Sequence, residues 1–222
     1  MTLAPEAPAR TAEDSPAAPT RSRRIVWLAV VLVVVLALSL VGWRVAAASA
    51  TDGVTIGYDT DPVRCDGTEV GARLDPETAI TRPVVVLDEG MDCVLRFVVA
   101  NDGWAELQLA KVSLAGFATD NVYGLSATLL NPGVDGGDDV EGARDFTLPD
   151  GSLLLPPGST SVVEVGIRYA GDAAMSRCSA VGMSIPTVRV TSGWGADATV
   201  TMPRWQLVWF QQGSLEDCAR ND

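Results

Sequence analysis

Nineteen consecutive uncharged residues, 25–43 (IVWLAVVLVVVLALSLVGW), constrain this chain more than any other feature it has. From Ile25 to Trp43 the run carries only Ser39 as a polar side chain. At about 1.5 Å per helical residue it reaches roughly the thickness of a bilayer's hydrocarbon layer. Trp27 and Trp43 stand near its two ends, where amphipathic indoles favour the headgroup region. Arg21, Arg23 and Arg24 precede the run, and Arg44 alone follows it closely. The positive-inside rule therefore predicts a single-pass cell-membrane protein with a cytoplasmic N-terminus and an extracellular C-terminal domain.

A cleaved signal peptide is the rival reading, because Ala48-Ser49-Ala50 fits a small-residue cleavage site and would release a secreted domain beginning at Thr51. The run is longer than the roughly 7 to 15 residues of a signal's apolar region. Arg44 also separates it from the site, so a retained anchor is favoured. Gly42 and Ala46 have the small-xxx-small spacing of paired membrane helices, but at the interface, which favours a monomeric tether and leaves the oligomeric state open. Residues 1–24 are rich in Ala, Pro, Ser and Thr without apolar periodicity, and are expected to form a disordered cytoplasmic tail. Residues 44–53 look like a short linker, and residues 54–222 like one extracytoplasmic domain.

Charge narrows the partners. From Val45 onward there are 25 acidic and 11 basic side chains, a net of −14. Such a surface repels phosphate backbones and anionic headgroups, which excludes nucleic acid and leaves divalent cations or basic protein patches as better partners. Histidine is absent, which removes the commonest general base and metal ligand together. The excess of Arg over the single lysine, Lys111, with abundant Ala, Val and Gly, is a compositional mark of a GC-rich bacterial genome.

Beyond Val54 the dominant pattern is alternation of apolar and polar residues broken by Gly, Asp, Asn and Pro, as in antiparallel strands and turns. Residues 93–100 put Cys93, Leu95, Phe97 and Val99 on one face and Arg96 on the other, and Asn101-Asp102-Gly103 then makes a turn. Leu107 and Leu109 resume the alternation, Val112 and Leu114 continue it out of phase, and a bulge near Ala110 and Lys111 accounts for the slip. Residues 161–169 turn Val163, Val165 and Ile167 inward and Glu164 and Arg168 outward, after the rigid turn Leu155-Pro156-Pro157-Gly158. Residues 187–191 and 199–202 read as a hairpin tipped by Ser192-Gly193-Trp194-Gly195. A last strand, 204–210, stacks Trp205, Leu207 and Trp209 against Val208 and Phe210, so it is expected to be covered on both faces.

This order of cues over residues 91–169 resembles bacterial immunoglobulin-like and fibronectin-like surface domains. The resemblance implies an all-β sandwich behind the N-terminal helix, and it carries no catalytic or binding motif. An immunoglobulin domain has about 100 residues, so the roughly 170 here imply an insertion, for which the Gly- and Asp-rich stretch 119–151 is the candidate.

Four cysteines, Cys65, Cys93, Cys178 and Cys218, in an exported domain predict two disulfides. Of the three connectivities, Cys65 with Cys93 and Cys178 with Cys218 are favoured as the shorter closures between neighbouring strands. Asp135, Asp138, Asp139 and Glu141 lie among glycines, an oxygen-rich set suited to Ca²⁺, but a solvated loop is the favoured reading. No other cofactor is expected. Asp59 and Asp61 pair in an Asx-type turn before Pro62. Trp104 and Trp194, beside turns, are interface candidates unless their loops fold back over them. Lys111 and Ser113 share a strand face but lack an oxyanion hole or third partner, and no catalytic role is expected. The functional expectation is a non-enzymatic interaction or accessory module of the cell envelope with a protein partner there, the alternative being an extracytoplasmic sensor of a ligand or cation.

Overall fold

The computed structural model describes residues 21–74, 79–134, 136–171, 174–183, 186–202 and 208–219. Its first element, α1 (Arg21–Ser49), is a single 29-residue helix. Val, Leu and Ala fill it, and their side chains are exposed on every side from Ile25 to Val45. By length and composition it is able to cross a membrane. The chain divides into two compact units whose boundary, Arg44/Val45, falls within this helix.

In the second unit the described strands, in chain order, are β1 (Val54–Asp66), β2 (Val70–Leu74), β3 (Thr81–Val86), β4 (Asp92–Asn101), β5 (Leu107–Ala115), β6 (Leu125–Leu129), β7 (Asp138–Val140), β8 (Ala143–Thr147), β9 (Leu154–Leu155), β10 (Ser159–Tyr169), β11 (Ala180–Met183), β12 (Thr187–Ser192), β13 (Asp197–Thr201) and β14 (Val208–Gln211), followed by the short helix α2 (Leu215–Ala219). They form three sheets, ordered β1-β4-β10-β6, β11-β14-β3-β2 and β13-β12-β5-β8-β7, with β9 paired to β5.

All three sheets feed one apolar core. Alternation along β4 places Cys93, Leu95, Phe97 and Val99 at 0% exposure, and along β10 Val163, Val165 and Ile167 meet them. Each of these Val, Leu, Ile and Phe side chains contributes ~1.5–3 kcal/mol by leaving water. On β5 the phase slip is a bulge: Leu109 pairs with Val190 and Lys111 with Arg189, so Ala110 is the extra residue. One bulge thus keeps Leu107, Leu109, Val112 and Leu114 all buried.

Cys65 and Cys93 are directly opposite on β1 and β4 and are bonded. Cys178 and Cys218 form the second disulfide, which ties α2 to the segment before β11. This is the connectivity favoured from strand proximity.

Three expectations need correction. Residues 44–53 are no loose linker, since α1 continues to Ser49 and Ala47, Ala50 and Thr51 are buried. Small side chains let this last turn pack closely, which is also why it reads as a spacer in sequence. The stretch 119–151 is no peripheral insertion: it supplies β6, whose Leu125, Ala127 and Leu129 join the core, and β8 with its buried Phe146. Glycines there serve the turns between strands. The uniformly antiparallel expectation fails at β14, which pairs with β3 in parallel and lies between β3 and β11. That central position explains why β14 is apolar on both faces. The expectations for residues 1–20 of the tail, and for Arg204, Trp205 and Leu207 of the last strand, lie outside the described residues.

Candidate functional site

The end of β4 builds a corner of the β-domain held by several hydrogen bonds. Asn101, 0% exposed, donates its amide nitrogen to the carbonyls of Ala105 and Leu155, both at 2.8 Å. Its side-chain oxygen accepts from the Gly103 N–H at 3.0 Å, and its backbone carbonyl accepts from Gly158 at 2.7 Å. A buried amide satisfied this fully fixes the turn that follows it. That turn carries Trp104.

The same turn is braced by the segment after α1. Asp102 N–H donates to the Gly53 carbonyl at 2.8 Å. The two backbones run so close that a Cβ on Gly53 would sit 2.3 Å from the Gly103 nitrogen. Gly53 is therefore required by the contact.

Trp194 arrives from the other side. Ser192 closes the β12–β13 tip: its N–H donates to the Ala196 carbonyl at 2.8 Å, its carbonyl accepts from the Gly195 N–H at 3.0 Å, and its hydroxyl accepts from the Ala196 N–H at 3.2 Å. Gly195 takes the left-handed φ of +78° that the tip needs. Because Ser192 is paired opposite Leu107 at the start of β5, the tip lands beside Trp104. The two indoles meet edge to face, with centroids 5.5 Å apart and planes at 67°. Such a pair adds ~0.5–1.5 kcal/mol beyond its buried area. Trp104 remains 50% exposed and Trp194 37%. The Trp104 indole N–H points to Ser49 Oγ at 3.4 Å, so Trp104 lies against the last turn of α1.

In the acidic stretch each described carboxylate has its own surroundings. Asp139 directs one oxygen to Arg144 at 2.9 Å and the other to the hydroxyl and N–H of Thr119. These contacts, Thr119 first, hold its carboxyl below the usual carboxylate range. Glu141 is exposed on the β7–β8 turn with a φ of +48°. Asp138 lines a cavity of about 260 Å³ with Asp145, Thr147, Leu148 and Pro149. Among the described residues no three His, Cys, Asp or Glu side chains converge on a metal position, and Asp135, the fourth member of the proposed Ca²⁺ set, lies outside them.

Lys111, considered with Ser113, is held by Asp145: Nζ lies 2.5 Å from Oδ2. On the opposite sheet Arg96 bridges Asp59 at 3.1 Å and Glu164 at 3.0 Å across β1, β4 and β10. Asp61 is taken by Arg64 at 2.6 Å, and residues 59–62 form an irregularity within β1, where the register shifts between Tyr58 and Val63. The sequence placed Trp104 and Trp194 at turns but not together. The pairing depends on the β5–β12 register, and the one signal for it was that both turns abut those two strands.

No family model matches the chain, and neither does any curated protein. Among solved structures it is similar to Northeast Structural Genomics Consortium target SoR45, with 12% identity and a TM-score of 0.36 over 72% of this chain and 88% of that one. It is also similar to an uncharacterized protein from Nocardia farcinica described as having an immunoglobulin-like fold, with 14% identity and a TM-score of 0.35 over 66% of this chain and 98% of that one. Vibrio cholerae VesB protease matches at 12% identity and a TM-score of 0.33, over 76% of this chain but 35% of the protease.

Proposed function

We propose that the chain is a membrane-tethered, non-enzymatic interaction module: α1 spans the bilayer with its N-terminus in the cytoplasm and displays outside it a β-domain of immunoglobulin-like sandwich type. One observation carries this reading. The lipid-length apolar helix does not end in a flexible leader but runs unbroken to Ser49, with Ala47 at 8% and Ala50 at 0% exposure inside the β-domain's own unit. Cleavage after Ala50 would remove these packed alanines and leave a charged amine on Thr51, itself only 8% exposed. Burying an unpaired charge is costly, so a retained anchor suits the fold better than release. Two disulfides fit an oxidising compartment outside the cytoplasm.

The non-enzymatic part rests on chemistry. A Ser-His-Asp arrangement needs an imidazole and this chain has none. The lysine of a Ser-Lys dyad is engaged by Asp145. An envelope partner is the corresponding expectation, sought by crosslinking in intact membranes.

Alkaline carbonate extraction of membranes, followed with an antibody to the β-domain, tests the tether. Full-length protein in the pellet is expected. A shorter chain in the supernatant would overturn the reading.

A further inference from the structure

β6 is the terminal strand of its sheet and pairs only with β10 among the described strands. At one end the Leu130 N–H donates to the Glu164 carbonyl at 2.8 Å, and at the other the Gly124 carbonyl accepts from the Ala170 N–H at 2.9 Å. In an antiparallel register bonded in this way, the even-numbered residues face β10, and Leu125, Ala127 and Leu129 turn their N–H and C=O groups away from it. Leu125 is already served, because the Asn121 side chain accepts its N–H at 3.2 Å and donates to its carbonyl, as a neighbouring strand would. For Ala127 and Leu129 no described backbone group takes that place. Exposure follows the same order. The core-facing residues of β4 are at 0% and Leu125 at 1%, but Ala127 is at 5% and Leu129 at 7%.

Open sheet edges are ordinarily blunted by charge, proline or a bulge. β1, at the opposite edge of the same sheet, has all three in its irregularity at Asp59, Asp61 and Pro62. β6 (LSATL) has none of them. Its outward side chains, Ser126 and Thr128, are exposed and uncharged, and the exposed apolar residues Val122 and Leu130 flank its two ends.

We infer that β6 is a docking edge, completed by an extended segment of a second protein that adds a strand beside it and takes up the outward N–H and C=O groups of Ala127 and Leu129. This rests on the interaction-module reading above and gives that module its site. Asn121 closes the ladder at Leu125, so the incoming strand lies beside Ala127 to Leu130. Its chemistry is uncharged or basic, with an apolar or β-branched residue against Leu130. The net of −14 from Val45 onward repels a second copy of the chain and draws a cationic partner.

The test uses the full chain in intact cells, with the photocrosslinker benzoylphenylalanine placed at Ser126 and, for comparison, at the exposed Thr199 on β13. Adducts are sized and the joined segment of the partner is sequenced. The expected result is an adduct from position 126 to an uncharged or basic extended segment, lost in Ala127→Pro, which deletes the outward N–H but none that faces β10. Thr128→Lys, a charge set on the edge, should abolish the same adduct, and melting of the purified full chain close to the wild type shows that the fold survives. An adduct of twice the chain's mass would overturn the partner in favour of a second copy. An adduct that both variants leave unchanged, or one joined to an acidic segment, would overturn strand addition. Adducts from position 199 with none from 126 would overturn the docking edge and leave the interaction module standing, whereas none from either position would overturn both.

Discussion

Lys111 Nζ lies 2.5 Å from Asp145 Oδ2 on the neighbouring strand, with the lysine side chain 38% exposed and the aspartate 8%. The aspartate's other oxygen, Oδ1, is buried and has no hydrogen-bond partner among the described residues. The bulge at Ala110 is what turns Lys111 toward Asp145 while Val112 stays in the core. Lys111→Met should therefore leave a buried carboxylate without its cation and cost about 1–3 kcal/mol, solvent at the half-exposed lysine screening part of the effect. The double variant Lys111→Met/Asp145→Asn should recover much of that loss. Urea denaturation of the two reads the difference directly, and equal stabilities would refute the pairing's importance.

Gly53 is predicted to be intolerant of a side chain. Alanine there would press a Cβ against the Gly103 backbone, which cannot yield as a flexible side chain does. A loss of about 1–3 kcal/mol is expected from the forced backbone shift. Gly193→Ala is the control, because a Cβ there meets nothing within 4 Å and its φ is unexceptional. Thermal melts of the two variants should separate clearly.

Tyr58 should show itself in alkali. Its hydroxyl is buried without a hydrogen-bond partner among the described residues, and burial pushes the phenol above its ordinary range. The folded state thus keeps a proton that the unfolded chain releases near pH ~10. This stabilisation is complete below the unfolded value and is lost as pH rises through the folded one. Tyr58→Phe should match or exceed the wild type in stability at neutral pH, since an unpartnered hydroxyl is removed. Its melting temperature should also fall less steeply than that of the wild type in strong alkali.

Asp139 gives the opposite limb. Thr119 and Arg144 lower its carboxyl, so its contribution is present above the unfolded value and disappears as pH falls through the folded one. Asp139→Asn should melt below the wild type at neutral pH, with the gap closing as acid protonates the wild-type carboxyl. A gap that persists at low pH would point to lost hydrogen bonding of Thr119 rather than lost charge.

The parts of the fold legible in the sequence are those that depend on local backbone geometry. Successive strand residues face opposite sides, so the alternation at Cys93, Leu95, Phe97 and Val99 announces a buried face, and the phase slip between Leu109 and Val112 announces the bulge. Asn101 was readable as a turn residue. Its burial was not, because Ala105 and Leu155 become its partners only once β4, β5 and β9 have assembled.

The sequence by itself determined an apolar helix long enough to span a bilayer, an acidic β-rich domain behind it, and four cysteines apt for two bonds. These follow from hydrophobicity, charge and residue type, which act without reference to distant chain. The tertiary structure alone decided that α1 runs on into the domain through Ala47 and Ala50, that β14 lies parallel to β3, and that Trp104 meets Trp194 and Ser49. Each of these joins segments far apart in the chain. Their meeting is set by sheet register and close packing rather than by any property that the separate segments carry.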